Sequence, residues 1–276
     1  MRTTQKRKLG LEEFSRCHPR LGKSRKRCLP ASVYRDMEKR TGKKGDSLFE
    51  AVGCKKDEEH CLLDKAVLPD IIKKELRTDY LRPKMPREWD KKPDTWLDNY
   101  NIMNVMKQYE DTFPWFEFMG VYPIDFSVAN PYLKNDVPKC LHAELCNLKL
   151  QDEYNKGKRG IGMVFNLDPH YKGGSHWVGL YINIHNIKKP FISYFDSYGY
   201  KTPPMIARFM RAFTLQIPGC QLGFNARRFQ YSNTECGMYS MYFLVCMIYG
   251  ISFKNFCKEA TKDETMLALR KIIFSH

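Results

Sequence analysis

Three residues of this chain have the types and order that covalent nucleophilic chemistry needs: His176, Asp196 and Cys236. Cys236 stands where the polar segment Gln230-Tyr231-Ser232-Asn233-Thr234-Glu235 gives way to an apolar run ending at Tyr249. Asn233 or Thr234 is a suitable cap for a helix starting there, with the apolar residues as its buried body. A thiol in the first turn faces unpaired backbone N–H groups and the positive end of the helix dipole, and both favour thiolate. Gly237 is expected to leave room beside the sulfur for a substrate backbone. A cysteine in such a run is most often a small core residue, so the decision rests on what lies upstream.

A thiolate needs a base, and the base an orienting group. His176 opens a segment in which Val178, Leu180, Ile182 and Ile184 alternate as one face of a strand. A second apolar strand, Phe191-Ile192-Ser193-Tyr194-Phe195, ends at Asp196, and His185 to Pro190 reads as the turn between them. A hairpin of that length brings the start of one strand beside the end of the next, and with them imidazole and carboxylate.

His176-Trp177, a strand closing in Phe195-Asp196-Ser197, and Gln230 ahead of Cys236-Gly237 together resemble the Ulp1/adenain clan of cysteine proteases, whose order is His, Asp or Asn, Gln, Cys. Trp96-Leu97-Asp98-Asn99 resembles the segment that opens the catalytic core of the SUMO-specific members. Asn166-Leu167-Asp168, and Gly53-Cys54 followed by Cys61, point to the polyprotein-processing members of large DNA viruses. The likeness is close from residue 94 onward and loose before it. It implies an α+β fold: a papain-related cysteine protease core with a small mixed sheet flanked by helices, behind a helical N-terminal region. Residues 1–93 would then be a basic arm and mostly helical region, and 94–276 the catalytic domain.

By the same resemblance, Asp196 orients His176, His176 takes the proton of Cys236, and Gln230 donates an amide N–H to the oxyanion. Trp96 and Trp177 would form a narrow tunnel that admits only Gly-Gly, since two close indole faces leave no space for a side chain. The implied substrate is a protein cut after Gly-Gly, either a viral structural polyprotein during virion maturation or a ubiquitin-like modifier. No cofactor or metal is implied, and the implied location is host cytoplasm at viral assembly sites, and the virion. Asn99 stands where the SUMO proteases carry an acid, a departure at a modifier-binding contact.

The surrounding elements follow from pattern. Asp94-Thr95 is expected to cap a helix carrying Leu97, Val105, Met106 and Tyr109; Ile161 to Leu167 reads as a buried strand. Asp168 to Ser175, with Gly173-Gly174, reads as a mobile loop at the substrate entrance. Thr202 is expected to cap a helix with Ile206, Phe209, Met210 and Phe213 on its apolar face, and Leu222 to Phe229 to form a strand. Arg227-Arg228 reads as surface charge. Near the start, Val33 and Met37, then Leu68, Ile71, Ile72 and Leu76, suggest two small amphipathic helices, and Met266, Leu267, Leu269 and Ile272 a final one. Strands alternating with helices in this way give an α+β core.

Composition bounds the rest. Apolar residues make up 43% of 276, enough for a sizeable core, with no run approaching a membrane span and no export signal. The net charge is +15, and residues 1–45 hold fifteen Lys/Arg against four Asp/Glu. Lys6-Arg7-Lys8 and Lys23 to Arg27 are the densest stretches of what reads as a basic arm, either suited to non-specific nucleic acid or an acidic partner or simply a solvated tail with no specific ligand. Ten cysteines without close pairing suggest reduced thiols, and those near the N-terminus fit no common zinc finger. Three functions stay open: an endopeptidase, an acyltransferase using the same thioester, and a non-catalytic nucleic-acid or modifier-binding module. A small electrophile should label Cys236 at neutral pH and lose that selectivity in His176→Ala; equal labelling of the two would leave the binding module.

Overall fold

The computed structural model describes residues 8–23, 25–131 and 140–276. Lys6, Arg7 and Ser24 of the basic stretches lie outside the described residues. Two compact units emerge: one holds Trp96–Met266 and Lys8, the other Leu9–Thr95 with Leu267–His276. The sequence division at 93/94 rests on composition and resemblance. By compactness, the last ten residues group with the N-terminal unit.

The larger unit is built on five strands: β1 (Phe116–Pro123), β2 (Gly160–Asn166), β3 (Trp177–Asn183), β4 (Phe191–Phe195) and β5 (Gln221–Phe224). They lie in the order β1-β2-β3-β4-β5. β1 runs parallel to β2, β3 antiparallel to β2 and β4, and β5 parallel to β4, a mixed sheet. Val178, Leu180, Ile182 and Ile184 face a core completed by Ile206, Met210 and Phe213 of the helix Pro204–Gln216. The opposite face carries the helix Cys236–Ile248, all thirteen residues of which are buried. Phe195 of β4 stacks on Phe243 of that helix, ring centres 5.1 Å apart. A helix apolar on every side is stable only as an interior element, which is why this run has no polar face.

Several local expectations change. The helix Asn99–Thr112 is capped by Asp98, not Asp94: Asp98 Oδ1 accepts the Asn101 N–H at 2.7 Å while Asn101 Oδ1 accepts the Asp98 N–H at 3.0 Å. The Pro204–Gln216 helix has Pro203, not Thr202, at its cap position. The last strand stops at Phe224, because Asn225 turns inward to bond Asp196.

The smaller unit contains the helices Ala31–Thr41, Ser47–Ala51, Glu59–Lys65 and Asp70–Tyr80. Val33, Met37, Leu48, Phe49, Leu62 and Leu63 form its core. The Asp70–Tyr80 helix buries none of its residues, and Ile71 and Ile72 lie exposed rather than on an inward stripe. The reduced-thiol expectation is overturned for six of the ten cysteines. Cys17–Cys28, Cys54–Cys61 and Cys140–Cys146 are disulfides, spanning 11, 7 and 6 residues. Local helix and loop geometry brings their Cα atoms to 5.1–6.4 Å, within bonding reach.

Over its described part the basic segment is folded against its neighbours, although Arg20, Lys23, Arg25 and Lys26 stay exposed. Arg20 pairs with Asp79 at 2.7 Å, Lys23 with Glu13 at 2.6 Å, and Arg27 stands 4.8 Å over Tyr34. In the larger unit Lys8 is inserted over Phe229 and Phe256, its Nζ 4.2 and 4.7 Å from the ring centres. Buried Glu59 accepts the backbone N–H groups of Cys28 and Leu29 at 2.9 and 3.0 Å. Glu59→Ala orphans those donors and should cost about 2–3 kcal/mol of stability by denaturant titration; no change would mean that the contacts are incidental.

Candidate active site

The hairpin delivers the pair that the strand pattern predicts. Gly179 of β3 faces Phe195 of β4, so His176 and Asp196 lie just past the paired ends, at one edge of the sheet. His176 Nε2 donates to Asp196 Oδ1 at 2.9 Å. Asp196 is wholly buried and held by its surroundings: Oδ1 also accepts the Tyr198 N–H at 2.8 Å, its own N–H donates to Asn225 Oδ1 at 2.9 Å, and its carbonyl accepts from Asn225 Nδ2 at 2.7 Å. With Nε2 committed to the carboxylate, Nδ1 is the ring nitrogen left for Cys236, which is among the groups that raise the imidazole pKa. Burial alone pulls the imidazole pKa down. The bond to Asp196 and the neighbouring Cys236, with the negative charge of both, outweigh it and raise the pKa from its ordinary 6.5 to about 9.

Cys236 is the first residue of its helix, as expected. The cap is Glu235, which makes no side-chain capping bond, rather than Asn233 or Thr234. Only 3% of Cys236 is exposed. Side chains fill the space beside Gly237: a Cβ there would stand 3.1 Å from Leu97 Cδ1 and 3.2 Å from Trp177 Cδ1. Its absence lets those two side chains close over the helix start.

Gln230 is fully buried beside this arrangement. Its Oε1 accepts the Ser197 hydroxyl at 2.6 Å, its backbone N–H donates to Ser197 O at 2.9 Å, and its carbonyl accepts from Arg228 Nε at 2.7 Å. The Nε2 group alone has no partner. A buried N–H donor is seldom left unpaired, and where one persists it calls for an explanation, a catalytic role among them. Ser197 and Asn225 are site residues that type and spacing do not single out. The one hint in the sequence is Ser197 beside Asp196 in the Phe-Asp-Ser run.

Trp177 is 9% exposed and its Nε1 donates to Leu97 O at 2.9 Å; Trp96 is 46% exposed. Both line a groove of about 510 Å³ together with Asn166, His170, Gly174 and His176. The 168–175 loop on its rim is tied down rather than free. Asn166 Oδ1 accepts the N–H groups of Asp168 and Ser175 at 2.9 and 3.1 Å, and Asp125 holds His170 through its backbone N–H and its ring Nδ1 at 2.9 and 2.7 Å. Among the described residues no three metal-binding side chains converge.

Residues 149–275 match the family model described as Ulp1 protease family, C-terminal catalytic domain. A protein of Acanthamoeba polyphaga mimivirus named as a thiol protease is 28% identical over 79% of this chain and 68% of its own length. A cysteine protease of African swine fever virus is 24% identical over 90% of both chains. Residues 149–275 are a Ulp1-family cysteine protease catalytic domain. The crystal structure of an African swine fever virus protease shares the fold of this protease, with a TM-score of 0.71 over 94% of this chain and 95% of that one at 20% identity.

For the protease the raised imidazole pKa is directly measurable. NMR titration of the His176 ring should give a midpoint near 9. Asp196→Asn removes a raising cause, so its midpoint should move to lower pH. A wild-type midpoint at the ordinary value, unmoved by the substitution, would separate the imidazole from its carboxylate.

Proposed function

We propose that this protease is an endopeptidase that cleaves after Gly-Gly, with Cys236 as nucleophile, His176 as base and acid, Asp196 as its orienter and Gln230 as oxyanion donor. The observation carrying this reading is the unpartnered Gln230 Nε2, buried in the unit where Asp196 holds His176 and Cys236 helps to raise its pKa. A tetrahedral intermediate supplies the missing acceptor: its oxyanion takes the Gln230 amide N–H and the backbone N–H of Cys236.

The steps follow from the protonation states. With its pKa raised to about 9, the imidazole can take the Cys236 proton and hold it while the sulfur attacks. The thiolate attacks the peptide carbonyl, and the C–N bond breaks as the imidazolium gives its proton to the departing amine. Neutral His176 then deprotonates a water, which attacks the thioester and frees the carboxylic acid and Cys236. The half-exposed Trp96 and the Trp177 indole fixed to Leu97 wall the groove that would receive the residues before the cut. Indole faces on that approach favour glycines, and viral structural polyproteins are the substrate class we assign, in keeping with the viral relatives.

A panel of Gly-Gly-X peptides should be cut after the second glycine and left intact by Cys236→Ser. Gln230→Ala should lower kcat by about 10²–10³. Substitution of either glycine by leucine without loss would end the Gly-Gly assignment, and transfer to an added amine without hydrolysis would favour an acyltransferase.

A further inference from the structure

Arg228 has a setting that mere surface charge does not explain. The turn after Asp196 packs on the backbone of residues 227–228: Gly199, at φ +76°, has no room for a Cβ, which would lie 2.8 Å from the Arg227 carbonyl carbon and 3.0 Å from Arg228 N. That close approach sets Tyr198 beside Arg228. Tyr198 lies on the His176 imidazole, ring centres 4.8 Å apart and planes 27° from parallel, and its hydroxyl donates to Ser232 O at 3.0 Å. Next in line the Arg228 guanidinium stands 5.4 Å from the Tyr198 ring and 4.7 Å from the ring of exposed Tyr231. Its Nε is fixed on Gln230 O at 2.7 Å.

The guanidinium is held yet uncompensated. No carboxylate pairs with it among the described residues. Asp263, which bonds this same segment, is already engaged: Oδ1 by the Tyr239 hydroxyl at 2.9 Å, Oδ2 by the N–H groups of Tyr231 and Ser232 at 2.9 and 2.8 Å. Arg228 is exposed, so its terminal nitrogens face solvent from a pre-ordered aromatic frame. Such a frame lowers the entropy lost on binding a carboxylate and suits the planar fork of arginine.

The location gives the frame a role. The tryptophan groove reaches His176, and none of Tyr198, Arg228 and Tyr231 lines it. If the acyl half of a substrate lies in that groove, as proposed above, its leaving amine must meet the imidazole. The residues that follow the cut then continue over Tyr198. We propose that Tyr198, Arg228 and Tyr231 form a leaving-side subsite that selects substrates with a carboxylate side chain among the first three residues after the cut. This inference rests on the assignment of Cys236 and His176.

The test uses the full-length protease and Gly-Gly peptides carrying Glu or Lys at each of the first three positions after the cut. The readout is the Glu/Lys ratio of kcat/KM within one enzyme, which cancels any common loss from disturbing Gln230. The wild type should favour Glu by about tenfold at one position or more, roughly what one charge contact supplies. Arg228→Gln should bring the ratio close to one and Arg228→Glu should invert it. Cleavage with a flat ratio at all three positions, or a preference that survives both substitutions, would overturn the subsite alone. Failure of the wild type to cut any peptide would overturn the Gly-Gly reading and the subsite with it.

Discussion

The dipeptide Asp196-Ser197, just beyond the end of β4, is the constraint on which the site depends. Asp196 holds His176 through Oδ1, and Ser197 holds Gln230 and its neighbour: its hydroxyl bonds the Gln230 side-chain amide, and its carbonyl accepts the N–H groups of Phe229 and Gln230 at 2.7 and 2.9 Å. One turn therefore fixes both the candidate base and the candidate oxyanion donor. Because both side chains are bound to consecutive residues of one buried backbone, their separation is set by covalent geometry rather than by two independent packings. Asn225 secures the turn by bonding both backbone groups of Asp196.

The helix that carries Cys236 answers a different need. All its residues are buried and it packs on the sheet face opposite the Pro204–Gln216 helix, so the sulfur is positioned by core packing. Phe195, the last residue of β4, stacks on Phe243 of this helix and meets Phe229 edge-on at 5.1 Å. The same aromatic cluster thus links the strand before Asp196, the segment before Gln230 and the body of the Cys236 helix. Lys8 lies over Phe229 and Phe256 of that cluster, where burial lowers its pKa to about 8 against the opposing pull of nearby thiols and Glu259. A residue that the sequence pattern assigns to a basic arm is, in the fold, part of the support under the site.

What is legible in the sequence is what depends on short-range pattern. Alternation in Val178–Ile184 and the turn at His185–Pro190 are enough to pair the strands and bring His176 to Asp196. The apolar run after Cys236 is enough to place it at a helix start. Caps are ambiguous where several residues compete: Asp98 prevails over Asp94 because Asn101 reciprocates its bond, and nothing about Asp94 alone excludes it. Ser197 and Asn225 are invisible because serine and asparagine are common in turns, and only tertiary contact shows what they hold. The disulfides escape for a related reason, since spacings of 11, 7 and 6 match no familiar framework. Gly237 misleads because a glycine next to a nucleophile suggests access, whereas Leu97 and Trp177 occupy the space.

A double-substitution cycle on kcat tests most directly whether Ser197 acts through Gln230. If Ser197 matters because it aims the Gln230 amide, Ser197→Ala lowers kcat in the wild type and has no further effect once Gln230 is alanine. Losses that simply multiply in the double variant would contradict the account, because the two side chains would then act independently.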